Sequence, residues 1–301
     1  MRENIVALIF DFDITLSPNF QQQVIFDHWG IKADDFWKKS ANNMKQGYDM
    51  EHGYLKALID MGKKDNRYKL SNHDLYRFGQ QVELYAGLSS KEGARSIFDD
   101  LNDIVNEEPY KEYNIKLECY CISGGLVPMI EGAFKAHGLK RYFKDIFACS
   151  LDEDEEGFIS FPKETVGHTI KTQKIFMIKK GTTPSLGRNP IEVNEVFDED
   201  RIPFKNMVFL GDGQTDIPAF SLINRYGGVS IALYREEKKS DGSVDEVATA
   251  KTYEAGYTLA IKSKRAEQLL SADYSVGKPL KMALMHHVRS ISNQIIRDAV
   301  K

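Results

Sequence analysis

The sequence lacks any apolar run of the roughly 20 residues a membrane-crossing helix needs. It also lacks a strong charge of either sign. A formal net charge of −4 gives no electrostatic footprint for nucleic acid as the main partner. Cysteine is sparse: only Cys119, Cys121 and Cys149 occur. An odd number without metal-ligand spacing excludes a disulfide framework and a zinc cluster, so reduced core thiols are expected. No internal repeat or low-complexity tract is present. The apolar run before Asp11 is only six residues, Ile5 to Phe10. That is too short for a secretory signal, so a cytoplasmic protein with neither a membrane nor a nucleic-acid partner is expected. The rest is ordinary. Hydrophobic content of 42% and charged content of 28% fit a globular chain of one or two domains over 301 residues.

What stands out is three strand-like apolar runs, each ending in a polar motif. Ile5 to Phe10 ends in Asp11-Phe12-Asp13-Ile14-Thr15. Leu117 to Ile122 ends in Ser123-Gly124-Gly125. Met207 to Leu210 ends in Gly211-Asp212-Gly213-Gln214-Thr215-Asp216. A lysine cluster lies between the second and third. Continuous apolar runs suit parallel strands covered on both faces. Ligands of an open parallel sheet bind at the carboxyl ends of its strands. If the three strands are neighbours, four carboxylates, a hydroxyl and an ammonium converge there.

The texture changes between about Phe20 and Tyr113, where aromatic and apolar residues recur at helical spacing. Gly30, Gly62 and Gly87 are expected helix ends. From Ile115 onward strands and helices alternate. Pro128 to His137 reads as a helix, Ile146 to Ser150 as a short strand, Phe158 to Phe161 as a hairpin arm, and Thr172 to Lys180 as a short helix. Residues 182–205 read as a loop, Ile217 to Ile223 as a helix, and Val229 to Tyr234 as a strand. Tyr257 to Ile261 reads as a last strand or a helix tail; Arg265 to Leu270 and Leu280 to Ile296 read as helices. The expected fold is α/β, a Rossmann-like parallel sheet core (1–17 and 115–301) with an inserted all-helical cap (18–114). The adjacent His286 and His287 cannot share a helix face and are read as surface or packing residues.

Each motif suggests a chemistry. Asp11 and Asp13, two apart just past a strand, can point to one side, one attacking phosphorus while the other handles protons. Ser123 and Gly124 offer a hydroxyl and an exposed amide to an anion. Asp212 can ligate a hard cation, and Asp216 can cap the following helix and support the metal. Of Lys171, Lys174, Lys179 and Lys180, Lys174 is the chosen phosphate ligand. Met177 and Ile178 would anchor its helix behind it, leaving Lys174 at the helix start.

Together these motifs resemble the four motifs of the haloacid dehalogenase-like (HAD) hydrolases, nearest to the phosphoserine phosphatase-like branch. They span residues 11 to 216, and the helical insertion matches the position of the family's cap. The resemblance implies a Mg²⁺-dependent phosphatase of small phosphorylated metabolites. Asp11 would be the nucleophile and form an aspartyl-phosphate. Asp13 would protonate the leaving oxygen and then activate water. Mg²⁺ would be held by Asp11, the Asp13 carbonyl and Asp212, with Asp216 in support. Ser123, Gly124 and Lys174 would bind the phosphoryl group. An aspartate at position 13 argues against dehalogenation, and the lack of membrane spans argues against an ion pump. A phosphotransferase or mutase on the same scaffold, or a non-catalytic phosphate sensor, are the competing readings. One departure concerns specificity. Phosphoserine phosphatases carry a glutamate after the first motif, whereas Ser17 to Gln23 contains no acid.

Overall fold

A computed structural model describes residues 3–300. The first strand, β1 (Ile5–Phe10), is buried along its whole length. Val6, Leu8 and Phe10 join one core cluster, and Ile5, Ala7 and Ile9 join another. This is the period of two of a strand whose faces are both covered. Each large aliphatic or aromatic side chain so buried contributes about 1.5–3 kcal/mol.

Five helices follow before the chain returns to the sheet: α1 (Gln23–Trp29), α2 (Ala33–Lys45), α3 (Met50–Lys64), α4 (Asn72–Gly79) and α5 (Ile97–Val105). Then come β2 (Lys116–Leu126), α6 (Val127–Ala136), β3 (Phe143–Glu153), β4 (Ile159–Glu164) and α7 (His168–Lys180). The remainder is β5 (Met207–Gly211), α8 (Ile217–Arg225), β6 (Val229–Tyr234), α9 (Glu246–Gly256), β7 (Gln268–Ser271) and α10 (Pro279–Ala299). The seven strands run in the order β4-β3-β2-β1-β5-β6-β7. All neighbours are parallel except the β3–β4 hairpin. The three motif strands are therefore adjacent, with β1 between β2 and β5.

The inserted segment is helical, as expected, but its parts differ in attachment. α4 packs on α6, and α5 packs on α10 and β2. α2 and α3 pack on each other, and α3 reaches the sheet through β4. α4 and α5 thus belong physically to the layer over one sheet face. α2 and α3 overhang the carboxyl end of the sheet.

Several local expectations are corrected. Gly62 lies inside α3, and Gly87 sits in a loop well past the end of α4. β2 does not stop at Ile122. It continues to Leu126, with a register shift against β3 between Ile122 and Leu126, and passes straight into α6. α7 begins at His168, four residues before the expected start. Residues 265–270 are not helical. Gln268–Ser271 pairs in parallel with β6 as the edge strand β7, while Tyr257–Lys262 is a π-helical extension of α9. Ala, Glu, Gln and Leu favour helix locally, but pairing with an open sheet edge overrides that preference. All three cysteines are free and buried. His287 is buried near Gln268, a packing position. No helix among the described residues is long and apolar enough to cross a membrane.

Candidate active site

The site forms where β1, β2 and β5 end side by side. The Asp11 amide donates to the Leu210 carbonyl at 2.9 Å, tying the first motif to the strand that carries the last. After Asp13 the chain turns sharply. Ile14 takes a φ of 57°, unusual for a β-branched residue, and the amides of Leu16 and Ser17 fold back onto the Phe12 carbonyl at 2.8 and 3.0 Å. This turn sends the chain up toward the inserted helices.

Lys171, in the first turn of α7, is fully buried. Its Nζ donates to Asp11 Oδ2 at 2.8 Å and to Asp216 Oδ1 at 2.7 Å. Burial alone would lower the ammonium's pKa, but the two carboxylates outweigh it and raise it. Lys171 is therefore charged. Lys174 is one turn further on. Its Nζ donates to Glu164 at 2.5 Å and lies 5.4 Å from the Phe147 ring centre. The structure thus brings Lys171, and not the chosen Lys174, to the motif carboxylates. With α7 starting at His168, Lys171 is the lysine at the helix start and Lys174 faces β4.

The carboxylates are crowded. Oxygens of Asp11, Asp212 and Asp216 all lie within 4.8 Å of one another. Asp216 is fixed from two sides, by Lys171 and by the Gly213 amide, which donates to Oδ2 at 3.1 Å. Burial, then the neighbouring Asp216 and Asp11, push Asp212 well above the usual carboxylate range. Burial also raises Asp216, to about 6, against the opposing pull of Lys171. The carboxylate of Asp13 lies outside this triad and accepts from the Gln21 amide at 2.8 Å. Burial, then Asp11, push it up to about 7. Asp11 and Asp13 thus sit in different environments, the condition for dividing nucleophilic and proton-transfer work.

The second motif meets the first through Gln21, a residue with no obvious role in the sequence. Its Oε1 accepts from the Leu126 amide at 2.9 Å. At Gly125 a Cβ would lie 1.8 Å from Gln21 Nε2, so any side chain there displaces the Gln21 amide. Gly211 is constrained likewise, since its Cβ would lie 2.4 Å from Asp216 Oδ2. Ser123 is buried, and its Oγ accepts from the Gly125 amide at 3.1 Å, leaving its proton for a ligand. Gly125→Ala is expected to displace Gln21 and destabilise the fold by about 1–3 kcal/mol, as measured by urea denaturation. An unchanged midpoint would show that Gln21 moves freely.

A cavity of about 510 Å³ opens above these groups. Asp11, Asp13, Ser123 and Asp212 form its floor, and residues of α2 and α3 form much of its wall. Tyr54 of α3 donates its hydroxyl to the Gly124 carbonyl at 2.8 Å. The oxygen triad suits a hard divalent cation, which takes carboxylate and water ligands. One ammonium among four carboxylates also leaves the cluster short of positive charge. The residues present therefore fit Mg²⁺.

An uncharacterized protein from Borreliella burgdorferi strain B31 is 30% identical over 246 residues, 74% of this chain and 80% of that one. The chain belongs to that protein's family. No protein-family model matches it. Among solved structures, a substrate-bound phosphoserine phosphatase complex aligns over 95% of this chain and 99% of its own, with a TM-score of 0.50 and 15% identity. That likeness is one of fold. A HAD family hydrolase from Salmonella enterica serovar Typhi aligns over 77% of this chain and 63% of its own, with a TM-score of 0.48 and 15% identity. A cytosolic 5′-nucleotidase IIIB bound to cytidine aligns over 99% and 88%, with a TM-score of 0.49 and 11% identity.

Proposed function

We propose that this family member is a Mg²⁺-dependent phosphatase of small phosphomonoesters, working through an aspartyl-phosphate on Asp11. The observation that carries the reading is the Lys171 bridge between Asp11 and Asp216 beside Asp212, with Asp13 poised near neutrality. In the first step an Asp11 carboxylate oxygen bonds to phosphorus and the ester P–O bond breaks. The leaving oxygen takes a proton from Asp13. In the second step Asp13 takes a proton from water, whose oxygen bonds to phosphorus. The bond to Asp11 then breaks and inorganic phosphate leaves. The Lys171 ammonium, the Ser123 hydroxyl and the Gly124 amide would hold the phosphoryl oxygens and stabilise their charge in the transition state. Asp11, Asp212 and Asp216, with the Asp13 carbonyl, would hold Mg²⁺, which when bound supplies the missing positive charge for the phosphoryl group.

The domain reading becomes a refined proposal: residues 18–114 form the inserted unit, and α2 with α3 is its movable cover. Opening would admit substrate and closure would exclude water. The test is release of inorganic phosphate from p-nitrophenyl phosphate and a panel of natural esters. EDTA is expected to reduce release by about 10³-fold or more, with recovery on adding Mg²⁺. Mg²⁺ should also raise the melting temperature, because it binds only the folded cluster. Equal rates with EDTA and with Mg²⁺ would overturn the metal assignment.

A further inference from the structure

One acidic side chain in the cavity takes no part in that chemistry. Glu51, on α3, is 5% exposed and lines the cavity. Its carboxylate lies against the second motif. A Cβ on Gly124 would be 3.7 Å from Oε1, and one on Gly167 would be 2.7 Å from Oε2. Among the described residues nothing donates a hydrogen bond or pairs an opposite charge to it. Its oxygens are not among the buried side-chain atoms closed off without a partner; they open onto the cavity, where a ligand cation would pair with them.

Two further features set the chemistry of that ligand. Among the described residues no arginine or lysine lines the cavity, and the Lys171 ammonium beneath it is engaged by Asp11 and Asp216. A substrate tail bearing a carboxylate would face the Glu51 carboxylate with no side-chain cation on the wall to offset it. Three rings line the same cavity as Glu51, with Phe20 and Trp37 5.4 Å apart between centres and Trp37 and Tyr54 6.3 Å apart. The Tyr54 ring is tethered by its bond to Gly124. Ring faces attract cations electrostatically, most strongly those with thin hydration shells such as methylated ammonium groups.

We infer that Glu51 and the Phe20–Trp37–Tyr54 wall form an ammonium site, so that the substrate is the phosphate ester of a small amino alcohol without a carboxylate. This rests on the phosphatase reading above. It makes Glu51 the specificity-determining residue and sets phosphoserine, which carries a carboxylate, among the poor substrates.

The experiment compares kcat/KM for phosphocholine and O-phosphoethanolamine with that for 3,3-dimethylbutyl phosphate, the neutral isostere of phosphocholine, and for O-phosphoserine. An ammonium ester is expected to be preferred over the neutral isostere by about 30-fold or more, a ratio that Glu51→Gln collapses mainly through KM. Trp37→Leu should lower the same ratio with the acid intact. A ratio near one, a ratio unmoved by Glu51→Gln, or a preference for phosphoserine or nucleoside monophosphates would overturn the ammonium site. If no ester is cleaved, p-nitrophenyl phosphate included, the phosphatase reading fails by itself. Calorimetric binding of choline then decides: binding lost in Glu51→Gln sustains the site, and no binding to the wild type overturns it.

Discussion

Lys171→Met will lower kcat by about 10²–10³-fold, whereas Lys174→Met will leave it within about threefold. The difference follows from where each ammonium ends. Lys171 touches Asp11 and Asp216 with no exposed surface, while Lys174 is spent on Glu164. Stability should separate the two as well. Without Lys171 the buried carboxylates of Asp11 and Asp216 face each other unpaired, a loss of about 3–5 kcal/mol in metal-free buffer. Mg²⁺ should restore part of it, since a dication can replace the missing charge. Urea denaturation with and without Mg²⁺ reads this directly. If Lys174→Met is as inactive as Lys171→Met, the assignment of Lys171 to the phosphoryl group is wrong.

Asp11→Asn will reduce phosphate release by at least about 10⁴-fold while the protein stays folded. Asparagine keeps the volume of aspartate but is no nucleophile toward phosphorus. The chemical signature is more telling than the rate. Borohydride added during turnover should reduce the acyl-phosphate and leave homoserine at position 11, visible as a mass change in the peptide spanning it. Asp13→Asn is expected to retain the first step with a good leaving group such as p-nitrophenolate, and to stall afterward with the adduct accumulated. Turnover near that of the wild type in Asp11→Asn would sink the covalent route.

Much of this molecule was legible in its sequence, because its central strands state their environment plainly. Ile5 to Phe10 is apolar at every position, which only a strand with two covered faces requires, and the same holds for Met207 to Leu210. The motifs at their ends therefore mapped onto the carboxyl end of one sheet. Two kinds of information were missing. The first was the start of α7, since Gly167 at its N-cap makes no side-chain cap and leaves no polar punctuation. Counting the first turn from that glycine would have selected Lys171. The second was contact between segments distant in sequence. Glu51 meets Gly124 and Gly167, and Gln21 meets Leu126, across stretches of chain that no local pattern connects. β7 escaped notice because its residues prefer helix and its strand form is imposed by β6.

The attachment of α2 and α3 has an evolutionary consequence. Asp11, Asp13, Ser123, Lys171, Asp212 and Asp216 all lie outside residues 33–64, while Trp37, Glu51 and Tyr54 lie within them. Heritable change in that short stretch can alter the diet of the protein without disturbing the residues assigned to bond breaking. The two helices are in this sense an exchangeable cassette, and grafts from relatives can be tried as whole units. One junction marks the seam of the exchange: a replacement gives up the Tyr54 hydroxyl's bond to the Gly124 carbonyl, which keeps the Cys149 thiol as a donor from the core.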